Sequence, residues 1–244
     1  MKRFAVKVRL WLVLPALAIL LAALAGCTVA RMEVPQTLMD NSDELAVTGR
    51  QGFTWGKDLT FGDYKLTRIK RGWTTTTSWG IMFWSKSKAT RKFQFDMKSP
   101  YRDGWTEVLA VTNARTQEFD FAGRDWEATL AFATEYLTVA DFHMDDELWT
   151  VVLASNPDTG NIMEGVITNG KRQIKIEATR KLQGAAYDIA DEVGYYFAEN
   201  NEYIGAVENI NAGAVFMQRT IDSKTRDLLA AGSGVVFIYT DILD

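Results

Sequence analysis

Sulfur and imidazole chemistry are nearly missing from this chain. Its 244 residues hold one cysteine, Cys27, and one histidine, His143. A lone cysteine excludes an intrachain disulfide and a cysteine-based zinc site. A lone histidine excludes a multi-histidine metal site, and a Ser-His-Asp triad would have to use His143. Phosphate loops are missing too, since nothing fits GxxxxGK[ST] or GxGxxG. Acids are absent from the start of the chain: Lys2, Arg3, Lys7 and Arg9 all precede the first one, Glu33. Near the end, no charge of either sign occurs from Leu228 to Tyr239.

Behind the basic start runs a mostly apolar stretch, Leu10 to Ala25, interrupted by Pro15. It falls short of the roughly 20 residues that span a bilayer as a helix. A basic start, a short apolar middle and small residues before a cut read as a secretory signal. Leu24-Ala25-Gly26-Cys27 resembles the lipobox of bacterial lipoproteins at all four positions. The resemblance implies that residues 1–26 are removed as a signal peptide. It also implies that Cys27 is the lipid attachment site, carrying two or three palmitate-like chains. Each buried methylene contributes about 0.8 kcal/mol, so one chain binds weakly and several anchor firmly. Acylation would use the last thiol and leave no thiolate nucleophile. The next residue is Thr28, not the aspartate associated with inner-membrane retention. By resemblance to Gram-negative lipoproteins, that favours the periplasmic face of the outer membrane over the outer leaflet of the inner membrane.

Cleavage would remove four of the 27 basic residues and none of the 31 acidic ones, leaving a formal charge of −8 on residues 27–244. Such a balance argues against nucleic acid, where basic groups must neutralise phosphates. It argues equally against anionic lipid head groups as a docking surface. The length suits one domain.

Residues 27–44 show no regular period and contain Pro35, Asn41, Ser42 and Asp43, so they read as a lipidated tether. Residues 45–244 read as a single β-rich domain. Leu59 to Tyr64, Lys65 to Lys70 and Arg91 to Met97 alternate in character, and Gln173-Ile174-Lys175-Ile176-Glu177 has the clearest period of two. Glu107 to Thr112, Ala128 to Phe132 and Trp149 to Leu153 are further strand-like runs. Turn residues separate them at 156–160, Asn169-Gly170, Asn200-Asn201 and 211–213. Asn-Gly signals a type I′ hairpin, with positive φ at both central residues. The pattern predicts about ten to twelve strands in an antiparallel barrel or sandwich. At the chain end, Asp222 or Ser223 is placed to cap a helix. An all-round apolar helix from Leu228 to Tyr239 would be buried. The competing reading there is a buried strand at Gly234 to Thr240, rich in β-formers.

Many antiparallel strands followed by one apolar C-terminal helix make an unusual combination. The stretch from Tyr195-Tyr196-Phe197 through Tyr203 to Val207 and on to Leu228–Leu243 is similar at fold level to the tubby, scramblase and LURP-one group. In that group a barrel of about twelve strands encloses such a helix. The resemblance implies architecture alone and carries no binding residues with it.

Three constellations stand out. Arg71, Trp73, Trp79 and Trp84 lie in a Trp- and Thr-rich run flanked by lysines and arginines. They form a candidate ligand or partner surface, where indole rings could stack on sugar or sit at a membrane interface. A hairpin with its indoles in the core is the competing reading. Asp141, His143, Asp145, Asp146 and Glu147 form an acidic cluster, read as a turn between strands. Glu164, Glu177, Asp188, Asp191, Glu192 and Glu199 supply carboxylates for a glycosidase pair, which only separation across a sugar defines. None of these amounts to a catalytic, cofactor or metal signature. The sequence therefore points to a non-enzymatic envelope protein, held on a membrane by lipid, that binds or scaffolds an envelope protein or cell-wall glycan. A carrier or sensor of a hydrophobic ligand inside the barrel is the first alternative, and a carboxylate-based hydrolase of envelope glycan the second.

Overall fold

The computed structural model describes residues 29–50, 58–72, 91–113, 137–156 and 162–243. A short helix, α1 (Gln36–Asn41), precedes the first strand, β1 (Ser42–Thr48). Then come β2 (Leu59–Phe61), β3 (Tyr64–Arg71), β4 (Arg91–Lys98), β5 (Thr106–Asn113) and β6 (Leu137–Met144). They are followed by β7 (Glu147–Asn156), β8 (Ile162–Thr168), β9 (Gln173–Thr179), β10 (Gly194–Glu199), β11 (Glu202–Glu208) and β12 (Ala214–Gln218). The last element is a long helix, α2 (Ser223–Leu243).

Every strand pairs antiparallel with its sequence neighbours, and β1 also pairs with β12, Asp43 opposite Met217 and Leu45 opposite Val215. The sheet is therefore a closed barrel rather than a sandwich, and closure removes the unpaired edges that an open sheet exposes. The period of two decides which side chains enter it. Ile174 and Ile176 of β9 point inward with Phe93, Phe95 and Met97 of β4, while Lys175 and Lys92 face water.

α2 runs through the middle of the barrel. Its residues Leu228, Leu229, Val235, Val236, Phe237 and Ile238 are wholly buried against the inward faces of the strands. The choice between helix and strand for this segment has a physical reason. A strand inside a closed barrel finds no edge to pair with and would leave its backbone groups unpaired, whereas a helix satisfies its own. Gly232 and Gly234 do not break it. They stand about 200° apart around the axis and let opposite walls close in. A Cβ on Gly232 would lie 2.7 Å from Ile167 Cδ1, and one on Gly234 would lie 2.8 Å from Leu66 Cδ1 and 2.9 Å from Phe95 Cζ. Ser233, also buried, returns its hydroxyl to the Leu229 carbonyl at 2.7 Å.

Two expectations need correction. The compact body begins at Met32, not at residue 45. Met32, Val34 and Leu38 are buried on the outside of the barrel with Val193, Tyr196, Ala206 and Phe216. The segment 32–41 is thus an external strap. It is held by Glu33 N–H on the Lys181 carbonyl at 2.9 Å and by the Tyr196 hydroxyl on the Glu33 carbonyl. Its apolar residues follow no regular period because the strap crosses the sheet in an irregular path. The hairpin at Asn169-Gly170 is present, but it is not a two-residue turn. Only Gly170 has positive φ, and the Asn169 side chain accepts from the amides of both Lys171 and Arg172. The geometry expected there occurs instead at Asn200-Asn201 and Asp145-Asp146, where both residues have positive φ. The strand run at Ala128–Phe132 and the turn at 157–160 lie outside the described residues.

Candidate functional site

α2 enters the barrel with its charges gathered at one end. Asp222, just before the helix, accepts from the amide of Thr225 at 2.9 Å and from its hydroxyl at 2.7 Å, the N-cap role its position predicts. Two cations, Lys224 and Arg226, then stand in the first turn, where the helix dipole favours acids. Carboxylates from the surrounding strands offset them. Lys224 donates to Glu147 at 2.7 Å and lies over the Trp149 ring. Arg226 donates to Asp43 at 3.0 Å, and Arg219 reaches the other oxygen of that carboxylate at 3.0 Å. Arg172 grips Glu199 through two nitrogens, at 2.6 and 2.8 Å, and donates to the Thr225 hydroxyl at 2.8 Å.

Asp227 is the deepest member of this collar and is wholly buried. It accepts from Ser99 Oγ at 2.6 Å, Tyr64 OH at 3.1 Å and Arg102 Nε at 2.6 Å. The remaining nitrogens of Arg102 hold Asp145 in the β6–β7 turn. The helix is thereby tied to β3, the β4–β5 loop and the β6–β7 turn together.

The electrostatics make the collar a clasp. Arg226 and then Arg219 hold the Asp43 carboxyl below its usual range. Arg102 does the same for Asp145, and Lys224 for Glu147. Burial, then the charge of Asp227, pushes the Tyr64 phenol up. A general acid or base works best with a pKa near the operating pH. These shifts move carboxylates and phenol away from it, and each charged group is engaged by a partner.

The acidic cluster read from sequence is dispersed by the same contacts. Asp145 and Asp146 form the tight turn expected, and Asp145 and Glu147 join the collar. Asp141 and His143 point outward from β6, where Asp141 accepts from Thr150 Oγ1 at 2.7 Å and His143 is exposed. Among the described residues no group of three or more His, Cys, Asp or Glu side chains could hold a metal ion. Of the candidate glycosidase acids, the fold brings two together: Glu164 of β8 stands opposite Glu177 of β9. Both face outward from the barrel wall, Glu164 exposed and Glu177 half-buried. Glu199 belongs to the collar, and Glu192 accepts from the Met163 amide at 3.3 Å. Asp188 and Asp191 are exposed in the irregular β9–β10 connection.

Arg71 ends β3, half-buried, with Phe93 opposite it on β4. Trp73, Trp79 and Trp84 lie outside the described residues, as does Cys27. Sequence reasoning missed the collar, whose members come from seven separate stretches of chain. The available signal was Arg226-Asp227 set directly against an uncharged helix. It also missed Tyr187 and Ile189, two exposed apolar side chains in the β9–β10 connection. No protein-family model, no curated protein and no solved structure matches the chain.

Proposed function

We propose that this chain is a lipid-anchored protein of the bacterial envelope whose barrel serves as a non-enzymatic binding or scaffolding body. The anchor rests on Leu24-Ala25-Gly26-Cys27, with Thr28 favouring the periplasmic face of the outer membrane. The observation that carries the scaffolding role is the way α2 fills the barrel. Opposite walls approach Gly232 and Gly234 so closely that a methyl group on either would force a neighbouring side chain to move. The central turns of the interior are thus occupied by the chain itself, and a partner meets the outer wall or an end. This favours a scaffold over a carrier of hydrophobic ligand, which needs that space. The paired charges of the collar favour it over a hydrolase.

Cys27→Ser tests the anchor. The variant is expected in the soluble fraction, or unprocessed, and unchanged fractionation with membranes would refute lipidation. Native mass spectrometry of residues 28–244 tests the scaffold against the carrier. The mass of the bare chain is expected, and a reproducible extra mass would replace the scaffold reading with the carrier. Cross-linking on intact membranes would then identify the partner, an envelope protein or cell-wall glycan.

A further inference from the structure

The two ends of the barrel differ in kind. The collar end holds the first turn of α2 and the short β2–β3, β6–β7, β8–β9 and β10–β11 turns. The far end holds the last turns of α2, where Thr240 Oγ1 lies 3.0 Å from Asn209 Oδ1 beyond β11. It also holds the β9–β10 connection, residues 180–193.

The external strap starts at this far end. Met32 bridges to Leu182 of the β9–β10 connection. Its amide donates to Glu208, the last residue of β11, at 3.1 Å. Its sulfur occupies the space over Gly194, the first residue of β10, where a Cβ would lie 2.1 Å from it. From there the strap runs along the wall to β1, which begins at the collar end with Asp43 on Arg226.

Covalent geometry then limits how the body can stand. Cys27 precedes Met32 by five residues, and an extended chain covers at most about 3.6 Å per residue. The acylated residue therefore lies within about 18 Å of Met32. Met32 stands over the first of the six residues of β10, and a strand of that length spans about 20 Å down to the collar end. A body standing on its collar would need this tether drawn out to its full length along the wall.

We propose that the far end of the barrel faces the membrane, with the β9–β10 connection as its contact surface and Tyr187 and Ile189 at the lipid interface. The proposal rests on the lipid-anchor reading. The tether, which arrives at the far end, favours this orientation over the inverted one, and the exposed side chains choose between standing and lying. Tyr187 is 87% exposed and Ile189 39%, beside exposed Ala185, Ala186 and Ala190. Tyrosine is favoured at the membrane–water boundary, where its ring meets the acyl region and its hydroxyl stays wet. The connection also carries Asp188 and Asp191, both exposed. Attraction to anionic head groups therefore contributes little, and the contact is an apolar one that the anchor brings within reach.

The test uses the full lipidated chain in vesicles of phosphatidylethanolamine and phosphatidylglycerol containing a nitroxide-labelled lipid. With Cys27 acylated, an introduced cysteine is the only thiol available to a fluorophore. Ala186→Cys places the label in the proposed contact, and Lys171→Cys places it on an exposed turn at the collar end. The expected result is quenching several-fold stronger at the first position than at the second. Equal quenching, or stronger quenching at the collar, would overturn the orientation. Adding Tyr187→Ser and Ile189→Ser to the Ala186→Cys chain is expected to reduce its quenching at least twofold. Undiminished quenching would overturn the assignment of those two side chains. Flotation separates this proposal from the anchor beneath it: protein that fails to float with the vesicles refutes the anchor, and the orientation falls with it. Protein that floats but quenches in the wrong place refutes the orientation alone.

Discussion

Replacing Gly234 with alanine tests how tightly the barrel grips its helix. In an unhindered helix the change would stabilise by about 1 kcal/mol, because glycine is the poorer helix former. Inside this barrel the new methyl would lie 2.8 Å from Leu66 Cδ1, 2.9 Å from Phe95 Cζ and 3.1 Å from Phe95 Cε2. Phe95 and Leu66 are themselves wholly buried, so making room means moving a packed ring. Overpacking of this kind costs about 1–3 kcal/mol. The net expectation is a loss of about 1 kcal/mol. Gly232→Ala is the internal control. There the close atom is the tip of one side chain, Ile167 Cδ1 at 2.7 Å, with Phe197 Cε1 at 3.3 Å. A single methyl can swing aside, so propensity and crowding nearly cancel. Urea unfolding of residues 28–244 reads both, as a shift in midpoint at unchanged slope. If both variants gained the full propensity term of about 1 kcal/mol, the walls would not be touching the helix. The argument for a filled barrel would fail with them.

Asp227→Ala is expected to cost about 3 kcal/mol, since it strands the Tyr64 and Ser99 hydroxyls and half of the Arg102 pairing; a urea midpoint like that of the native chain would mean that the clasp holds nothing. Acid should loosen the collar in a defined direction. Asp43 and Asp145 have folded pKa values below their ordinary value of 3.8, so their contribution is complete above that value and drains away as pH falls through the lower folded ones. Urea midpoints between pH 6 and pH 2.5 should fall mainly below about pH 4, with a shallower fall in Arg102→Gln, and equal slopes in the two proteins would refute the assignment to Asp145. Glu164→Lys should stabilise by roughly 0.5 kcal/mol, because it converts a like-charge pair with Glu177 into an opposite one; thermal melting checks it, and a lower melting temperature would count against the outward pairing.

What was legible in the sequence was whatever rests on local period. Gln173 to Glu177 alternate because one face is wet, Arg91 to Met97 alternate although Gln94 and Asp96 are themselves buried, and the strands lie where the alternation puts them. Strands buried on both sides were harder to read. β12 packs Val215 and Met217 inward and Ala214 and Phe216 under the strap, so it shows no alternation at all. The strap itself was read as tether because Met32, Val34 and Leu38 have no spacing to recognise. Their burial depends on Gly194 and Ala206, more than 150 positions away. The collar was illegible for the same reason. Tyr64, Ser99, Arg102, Asp145 and Asp227 converge only after the barrel has closed. No local window contains more than two of them.

The placement of charge along α2 explains how one sequence specifies one direction of insertion. A barrel lined with aliphatic and aromatic side chains would accept an apolar helix either way round. In α2 three of the four charges, Lys224, Arg226 and Asp227, stand at the start, and none follows until Asp241 in the last turn. Run in reverse, the helix would carry Arg226 and Asp227 to the far end, away from Asp43, Ser99 and Arg102. Leaving a buried charge unpaired costs several kcal/mol, and satisfying it at the collar removes that cost in one orientation only. The buried pairs thus act less as glue than as a key for direction. The same asymmetry gives the folded body its two unlike ends. All the cations and acids of the helix entry neutralise one another at the collar. The other end keeps exposed apolar side chains beside the point where the chain arrives from Cys27. On the proposed lipid anchor only one of these ends would meet the bilayer, which gives the two ends reason to differ.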